Sequence, residues 1–313
     1  MFSRIRHLAT LLQSSRKIMK IQAFHIKEPV PELNAPHALA VIQPLMDMSN
    51  VGSMTLSCLE SSLASEELAR LALPGNFFDL TRYRPTVFRK ESNSEIDIPN
   101  AVINYGRRSG DHDFLFLRLL EPHMQADAYV DSVVELLKAF GVRRYCLIGS
   151  VYDMVPYTRP LSVSGSASNQ TLQNKLVATN VIPTDYEGPT TILSLIERKV
   201  FQLGMETCSI IVHLPNYLMI EEDYRGEKRL MEIISSLYNF AMPQEDIEKA
   251  NQQEEQIKSV AEQIMQQEPK YKLILEKLEE NYDSRIKIEK KEMRLSPEVE
   301  KFLLDLEKRF PQE

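Results

Sequence analysis

The chain has 313 residues, of which 43% are hydrophobic, so it can bury a large core and is not intrinsically disordered. Its net charge of -7 excludes the broad basic field with which proteins hold nucleic acids. Because no apolar run approaches the roughly 20 residues that cross a bilayer, we expect a soluble protein that does not bind membranes.

The first nineteen residues form a separate segment, because they carry four basic side chains and no acidic residue precedes Glu28. Such a stretch is typical of an organellar transit peptide, but it is also what translation from an upstream start codon gives. We favour the second interpretation, in which Met19 and not Met1 is the true start. Residues 1–19 are therefore expected to pack poorly, and the folded part is expected to begin at residue 20.

The most informative segment follows the apolar strand predicted over residues 37–43. The sequence Gln43-Pro-Leu-Met-Asp-Met-Ser-Asn-Val-Gly-Ser-Met predicts a sharp turn and the start of a helix. Asn50 is expected to accept backbone N–H bonds at the helix opening, and Gly52 to allow close backbone approach. Asp47 and Asn50 would then lie at the carboxyl end of a buried strand, where open α/β sheets bind ligands and partners.

Apolar runs and helical periods alternate along residues 20–243 and predict an α/β domain with a mostly parallel or mixed central sheet flanked by helices. The predicted strands are 37–43, 113–121, 144–150 and 207–214. The predicted helices are 51–63, 126–140, 191–203 and 227–240. Two shorter runs, 86–90 and 101–105, are interpreted as a hairpin added at the sheet edge.

Residues 244–313 differ in composition from the rest of the chain, because they contain 13 Lys and Arg residues and 18 Asp and Glu residues. They predict a charged helical extension. An imperfect apolar seam runs until Pro269 interrupts it, through Ile247, Ala250, Ile257, Ala261 and Ile264. A last helix is expected after Ser296-Pro297. The seam is less than three heptads long, which favours a solvated helical hairpin over an intermolecular coiled coil.

Residues for catalysis are sparse in this sequence. Cys58, Cys146 and Cys208 lie in apolar surroundings, as reduced core thiols of a cytoplasmic protein do. The six histidines lack the spacing of a metal motif, so neither a metal nor a cofactor is expected. The small-residue segment around Gly165 lacks the lysine and glycine spacing of a phosphate-binding loop and is interpreted as flexible.

Three carboxylates, Asp47, Glu121 and Asp153, each follow a predicted strand. Together they could perform general acid or base chemistry at one edge of the sheet. Acidic residues at strand ends more commonly cap helices or bind loop amides. Arg159 could pair with one of the three carboxylates and fix its loop without any reaction.

An ordered series of short segments resembles the proteasome assembly chaperone 2 family, and in particular its prokaryotic members, over about residues 41–240. The segments are Asp47-Met-Ser-Asn-Val-Gly52, Arg84-Pro85, Glu121-Pro122, Gly149, Asp153-Met-Val-Pro-Tyr-Thr-Arg-Pro160, Tyr186-Glu-Gly-Pro-Thr190 and Leu214-Pro-Asn-Tyr217. The specificity lies in the order of the series, since each segment alone is a weak signal.

This resemblance implies a fold similar to that of nucleoside phosphorylases, the formation of homo-oligomers, and a role among ATP-independent chaperones of proteasome subunits. It brings no established catalytic residues. Several such chaperones end in a hydrophobic residue, a tyrosine and any residue, and dock by that tail. This chain ends Phe310-Pro-Gln-Glu313, so docking by the tail is not expected.

The sequence therefore favours a non-enzymatic oligomeric scaffold or assembly chaperone that binds other proteins. The alternative is an enzyme that acts on a nucleoside or small phosphorylated ligand in a crevice lined by Asp47, Asn50, Asp153, Arg159 and Glu187. Tyr217, in a loop after a strand, is a candidate contact residue for a partner, although packing against its own loop is the stronger expectation. Structural roles are expected for the motif's glycines and prolines: Gly52, Pro122, Gly149, Pro160, Gly188, Pro189 and Pro215.

Overall fold

A computed structural model describes residues 19–90, 93–110, 112–184, 186–268 and 270–292, with the side chains of residues 90, 93 and 286–292 excepted. The expectation of a poorly packed leader therefore lies almost wholly outside the described residues. The same is true of the helix predicted after Ser296.

Ten strands form one mixed sheet in the order β1-β2-β4-β7-β8-β3-β9-β12-β10-β11, and β5 and β6 form a separate two-stranded sheet. The strands are β1 (Met19–Ile21), β2 (Phe24–Ile26), β3 (His37–Gln43), β4 (Glu66–Leu71), β5 (Thr86–Lys90), β6 (Asn93–Asp97), β7 (Val102–Gly106), β8 (Phe114–Leu120), β9 (Arg144–Asp153), β10 (Val163–Ala167), β11 (Val181–Pro183) and β12 (Glu206–Pro215).

The centre of the sheet is parallel. Strand β3 pairs with β8 on one side and β9 on the other, and β9 pairs with β12, all in parallel register. Residues 38–42 of β3 are fully buried, alternately against the two faces of the sheet. This explains why β3 is a continuous apolar run. The predicted α/β fold with a mixed central sheet flanked by helices is confirmed.

Helices cover both faces of the sheet. They are α1 (Val51–Ser62), α2 (Ala126–Ala139), α3 (Gln170–Ala178), α4 (Ile192–Gln202), α5 (Tyr224–Tyr238), α6 (Gln244–Gln267) and α7 (Lys270–Glu292). The apolar sides of α2 and α4 belong to the core on one face, and those of α1, α3 and α5 belong to the core on the other. Five of these helices therefore pack on the sheet, two on one face and three on the other.

The hairpin predicted from residues 86–90 and 101–105 is wrong. Strand β5 pairs instead with β6, outside the main sheet. Strand β7 lies inside the main sheet between β4 and β8, antiparallel to both. The prediction failed because it missed β6, which pairs with β5, and β4, which pairs with β7 from far earlier in the sequence.

The segment around Gly165 is not a flexible loop, because Val163–Ala167 forms β10 between β11 and β12. A Cβ atom on Gly165 would lie 2.2 Å from the carbonyl oxygen of Ser209, so the small residue permits close strand packing. Helix α3 and strands β1, β2, β4 and β11 were also not predicted. Helix α5 begins three residues before its predicted start, because the buried Asp223 carboxylate accepts the amides of Arg225 and Gly226.

Helices α6 and α7 follow Pro243. Ala250 of α6 is buried, and Lys228 of α5 donates to Asn251 of α6 over 2.9 Å. Helix α7 contacts α6, and its Leu278 is buried. None of the described helices combines the length and apolar character that crossing a lipid bilayer requires.

Candidate functional site

Strands β3, β8, β9 and β12 are parallel, so their carboxyl ends and the loops after them lie at one edge of the sheet. These loops contact one another. The amide of Ser150 donates to the carbonyl of Met46 over 3.0 Å, and the Ser150 hydroxyl donates to the carbonyl of Met48. The amide of Asp223 donates to the carbonyl of Ser49 over 3.0 Å. The loops after β3 and β12 and the end of β9 therefore form one connected surface.

Asp47 anchors the start of α1. Its Oδ1 accepts the Ser53 amide over 3.0 Å, and its Oδ2 accepts the Ser53 hydroxyl and the Gln43 side-chain amide. The residue is 6% exposed. Both oxygens of the carboxylate thus bind other groups of the protein. By accepting the Ser53 amide, Asp47 has the capping role that acidic residues at strand ends commonly have.

Asn50 does not cap α1, contrary to the sequence prediction. It adopts a left-handed backbone conformation, and its side chain makes no capping hydrogen bond. Its Nδ2 instead donates to the carbonyl of Glu221 over 3.1 Å, which joins the loop after β3 to the loop before α5. Asp47 takes the capping role because a single turn of 3-10 helix, Met48–Asn50, separates it from α1.

Gly52 and Gly149 both lie where the packing around the backbone is close. A Cβ atom on Gly52 would lie 2.7 Å from Cγ2 of Val41, and one on Gly149 would lie 2.2 Å from the carbonyl oxygen of Met46. The loop after β3 therefore lies directly on β9, and a side chain at residue 149 would push the two apart.

Glu121 follows β8 and receives the start of α4. The amide of Ile192 lies 3.2 and 3.3 Å from its two carboxylate oxygens. Burial raises the pKa of Glu121, and the Ile192 amide opposes that shift. The backbone carbonyl of Glu121 accepts the Tyr83 hydroxyl over 3.1 Å, and Pro122 continues the chain, half-buried. Glu121 thus positions a helix.

Asp153 ends a hydrogen-bonded series that crosses three strands. Its Oδ2 lies 2.9 Å from Nδ1 of His213, and Nε2 of His213 lies 2.8 Å from the hydroxyl of Ser164. The bond with His213 lowers the pKa of Asp153. The order of groups is that of a Ser-His-Asp triad. The sequence analysis missed this series, because His213 lies 49 positions from Ser164 and 60 positions from Asp153 along the chain.

The setting of Ser164 differs from that of a hydrolase nucleophile. A catalytic serine of the α/β-hydrolase kind lies on a sharp turn, next to amides that face the substrate. Ser164 lies inside β10, paired with Ile211 of β12 and Ile182 of β11. Its backbone is therefore part of the sheet, and the series acts as a polar bridge between β9, β10 and β12.

Arg159 does not pair with a carboxylate at the strand ends. In the loop between β9 and β10 it forms ion pairs with two residues of α7, Glu279 and Asp283. The carbonyl of the next residue, Pro160, accepts the Tyr282 hydroxyl over 2.8 Å. The motif segment 153–160 therefore binds α7, whose acidic residues lie about 120 positions further along the chain.

The other motif residues lie in neighbouring loops. Pro215 ends β12, opposite Asp153. The Tyr217 hydroxyl donates to the carbonyl of Val155 over 3.0 Å and accepts the Tyr157 amide over 2.9 Å. Glu187, Gly188 and Pro189 are exposed in the segment before α4, where the carbonyl of Pro189 accepts the Tyr186 hydroxyl. Tyr217 thus joins the loop after β12 to the loop between β9 and β10, whereas the sequence analysis expected it to pack against its own loop.

The five crevice residues predicted from the sequence do not share one cleft. Arg159 lines a cleft of about 1050 Å³ between its loop and α5, α6 and α7. Asn50 lines a different cleft, of about 720 Å³, between α1, α5 and the start of α6. Asp47 is buried and Glu187 is exposed on its segment. A common small-molecule site is therefore not assembled from these residues.

Apolar side chains are exposed on the same loops. They are Leu45, Met154, Tyr217 and Met219, with exposed fractions between 45% and 78%. We call these four residues the strand-end surface. Methionine is flexible and polarizable, and it is common on protein surfaces that bind partners. Asp47, Glu121 and Arg159 bind other parts of the protein, whereas these four apolar side chains are exposed.

The three cysteines are buried and free. Burial first, and then Glu227 and Asp246, raise the pKa of Cys58 to about 12, so its thiol is not an activated nucleophile. Burial and Asp246 raise the pKa of Glu227 to about 7. One ligand atom from each of these three residues lies within 4.8 Å of the other two, a spacing that could hold a metal ion. The sequence analysis did not connect them, because they lie on three separate helices.

Comparison with known proteins agrees with this architecture and with the motif series. The family model described as the PAC2 family matches residues 41–264. The chain belongs to the PAC2 family. The match begins within β3 and ends within α6, so it contains the whole strand-end surface. No curated protein matches the chain significantly.

Solved structures share the PAC2 fold. A PAC2 family protein from Streptomyces avermitilis is 23% identical, with a TM-score of 0.66 over 72% of this chain and 96% of that one. The proteasome-assembly chaperone homologue of Mycobacterium tuberculosis is 19% identical, with a TM-score of 0.64 over 71% and 94%. The Pyrococcus furiosus protein PbaB, an archaeal proteasome activator, is 16% identical, with a TM-score of 0.60 over 78% and 100%.

Proposed function

We propose that this protein is a non-enzymatic scaffold or assembly chaperone that binds other proteins in the cytoplasm, with proteasome subunits as its clients. The observation that carries the proposal is that charged and apolar side chains have different roles in the loops at the strand ends. Their charged groups bind one another or a helix, as Asp47, Glu121 and Arg159 do. Their exposed side chains include the four apolar residues of the strand-end surface, which suit a protein partner.

Family membership supports the proteasome as the client. Two proteins of the same fold are described as a proteasome-assembly chaperone homologue and a proteasome activator. A chaperone of this kind needs a contact surface and no reactive group. The strand-end surface provides flexible methionines beside the aromatic ring of Tyr217, a combination that adapts to a partner's shape.

The alternative, an enzyme acting on a nucleoside or a small phosphorylated ligand, has less support. Its crevice residues line separate clefts, and the carboxylate of Asp47 is engaged on both oxygens. A thermal-shift panel of nucleosides and nucleotides tests this alternative. Stabilisation by one ligand that Asp47→Asn abolishes would favour the enzyme.

Binding of the purified chain to purified proteasome subunits from the same organism tests the proposal directly. Co-sedimentation is expected for the unaltered chain and is expected to be lost in the double variant Met154→Asp, Met219→Asp. Phe201→Asp is the matched control, because Phe201 is a comparably exposed apolar residue on α4, away from these loops. Equal binding by all three proteins would show that the strand-end surface takes no part in the interaction.

We also propose that the chain forms homo-oligomers, through the hairpin of β5 and β6. Val87, Phe88 and Ile96 are at least half exposed on this hairpin, and β5 pairs only with β6 among the described strands. A lone two-stranded hairpin is marginally stable in water, so pairing with the hairpin of a second copy would stabilise it. Sedimentation of Val87→Asp, Ile96→Asp should give a smaller particle than the unaltered chain, and an unchanged particle would place the interface elsewhere.

A further inference from the structure

Cys58, Glu227 and Asp246 meet where three helices come together. Cys58 lies on α1, Glu227 on α5 and Asp246 in the first turn of α6. The thiol sulfur and one carboxylate oxygen from each acid lie within 4.8 Å of one another. We infer that these three side chains bind a divalent cation of the zinc class.

The buried carboxylate of Glu227 is the second observation that points to a ligand. Glu227 is 3% exposed, and its Oε2 is buried without a hydrogen-bond partner among the described residues. Leaving a buried charged oxygen without a partner is costly. A cation between Glu227, Cys58 and Asp246 would give this oxygen its missing partner.

Charges around the cluster also favour a cation. Lys249 is the nearby base, but its Nζ lies 2.8 Å from the Glu245 carboxylate and 3.3 Å from Oδ1 of Asp246. Its ion pairs are therefore with Glu245 and Asp246 and not with Glu227. A dication bound between the two carboxylates and the thiol would be attracted by all three donor groups.

A route to the cluster exists. The three residues line the cleft of about 720 Å³ between α1, α5 and the start of α6. The cleft can admit an ion and a water molecule, so that three protein ligands and one water complete a four-coordinate site.

The donor set selects the class of cation. A thiolate with two carboxylates suits Zn²⁺ and its analogue Co²⁺, whereas Mg²⁺ and Ca²⁺ prefer oxygen ligands alone. The consequence is structural. Because each ligand comes from a different helix, the cation would fasten α6 to α1 and α5 and stabilise the folded chain against unfolding.

Metal binding by the purified full-length chain, first stripped with a chelator, tests the inference. Equilibrium dialysis should find one Zn²⁺ per chain, and Zn²⁺ but not Mg²⁺ should raise the melting temperature. Co²⁺ should give the thiolate-to-metal charge-transfer band that reports a Cys58 ligand. Cys58→Ser should lose this band, and Glu227→Gln and Asp246→Asn should each weaken Zn²⁺ binding by about tenfold or more.

Glu245→Gln is the matched control, because Glu245 lines the same cleft and pairs with Lys249 but lies outside the ligand cluster. It should bind Zn²⁺ as the unaltered chain does. Glu227→Gln keeps the shape of the side chain, so it remains informative if Cys58→Ser does not fold. Equal Zn²⁺ affinity in Glu227→Gln, a Co²⁺ complex without the thiolate band, or no stoichiometric binding would each overturn the inference.

Discussion

Arg159 and Asp283 form a bidentate ion pair that fastens α7 to the loop between β9 and β10. The guanidinium Nε and Nη2 lie 3.0 Å from the two carboxylate oxygens, Oδ1 and Oδ2 respectively. Parallel pairs of this kind fix orientation as well as position. The family's motif loop and the charged helix at the end of the described chain are thus joined through side chains.

Loss of this pair should loosen α7 without unfolding the α/β body. Arg159→Ala and Asp283→Ala should each speed proteolysis within residues 270–292, and the double variant should add little to either single change. Arg82→Ala is the control, because Arg82 forms an exposed pair with Asp79 whose loss should leave α7 unchanged. Strictly additive effects of Arg159→Ala and Asp283→Ala would show that the two side chains act independently.

Asp47, and not Asn50, should control the stability of α1. Asp47→Ala removes the acceptor of the Ser53 amide and should lower the free energy of unfolding by about 1–2 kcal/mol. Asn50→Gly keeps the left-handed backbone and loses one exposed hydrogen bond, so its effect should be smaller. Urea denaturation of both variants measures the difference, and a larger effect at residue 50 would return the capping role to Asn50.

Gly149→Ala should destabilise the fold, because its new Cβ would lie 2.2 Å from the backbone carbonyl of Met46. Backbone atoms cannot move aside as a flexible side chain does, so the free energy of unfolding should fall by about 1–3 kcal/mol. Gly75→Ala is the control, since its Cβ would meet only Leu80, at 3.8 Å. Equal melting temperatures of the two variants would mean that the loop after β3 does not lie on β9 as described.

Asp153 should stabilise the protein in a pH-dependent way. Its bond with His213 lowers its pKa in the folded state below the ordinary value of 3.8, so the stabilisation is present above pH 3.8 and is lost as the pH falls through the lowered pKa. Since the carboxylate is partly exposed, Asp153→Asn should lower the free energy of unfolding by about 1 kcal/mol at pH 6.

The difference between the unaltered chain and Asp153→Asn should narrow on acidification, when measured by denaturant unfolding at several pH values. Glu187→Gln, at an exposed position in a loop, should differ little from the unaltered chain at any pH. A difference between Asp153→Asn and the unaltered chain that stays constant down to pH 3 would argue that the bond with His213 does not depend on the ionised carboxylate.

The sequence predicted the centre of the fold well. Residues 37–43 were assigned to a strand with the observed ends, because a strand buried on both faces is a continuous apolar run bounded by polar residues. The family series also pointed to the loops at the strand ends. These signals are local, so they can be recognised without knowing which strands pair.

Features that depend on distant partners were not predictable. Strand β7 was paired with the wrong neighbour, and β10 was interpreted as a loop because its serines and Gly165 resemble loop residues. Arg159 was expected to bind a carboxylate at the strand ends, whereas its partners lie on α7. Short segments carry propensity, but tertiary contacts between residues far apart decide such cases.

Site-specific photo-cross-linking in the native host tests the central claim most directly. A photoreactive residue at position 154 or 219 places the probe on the strand-end surface, and one at position 201 places it on α4. We predict that the first two positions capture the same protein partner, identified by mass spectrometry, and that position 201 does not. The account would be contradicted if cross-links to other proteins formed no more often from positions 154 and 219 than from position 201.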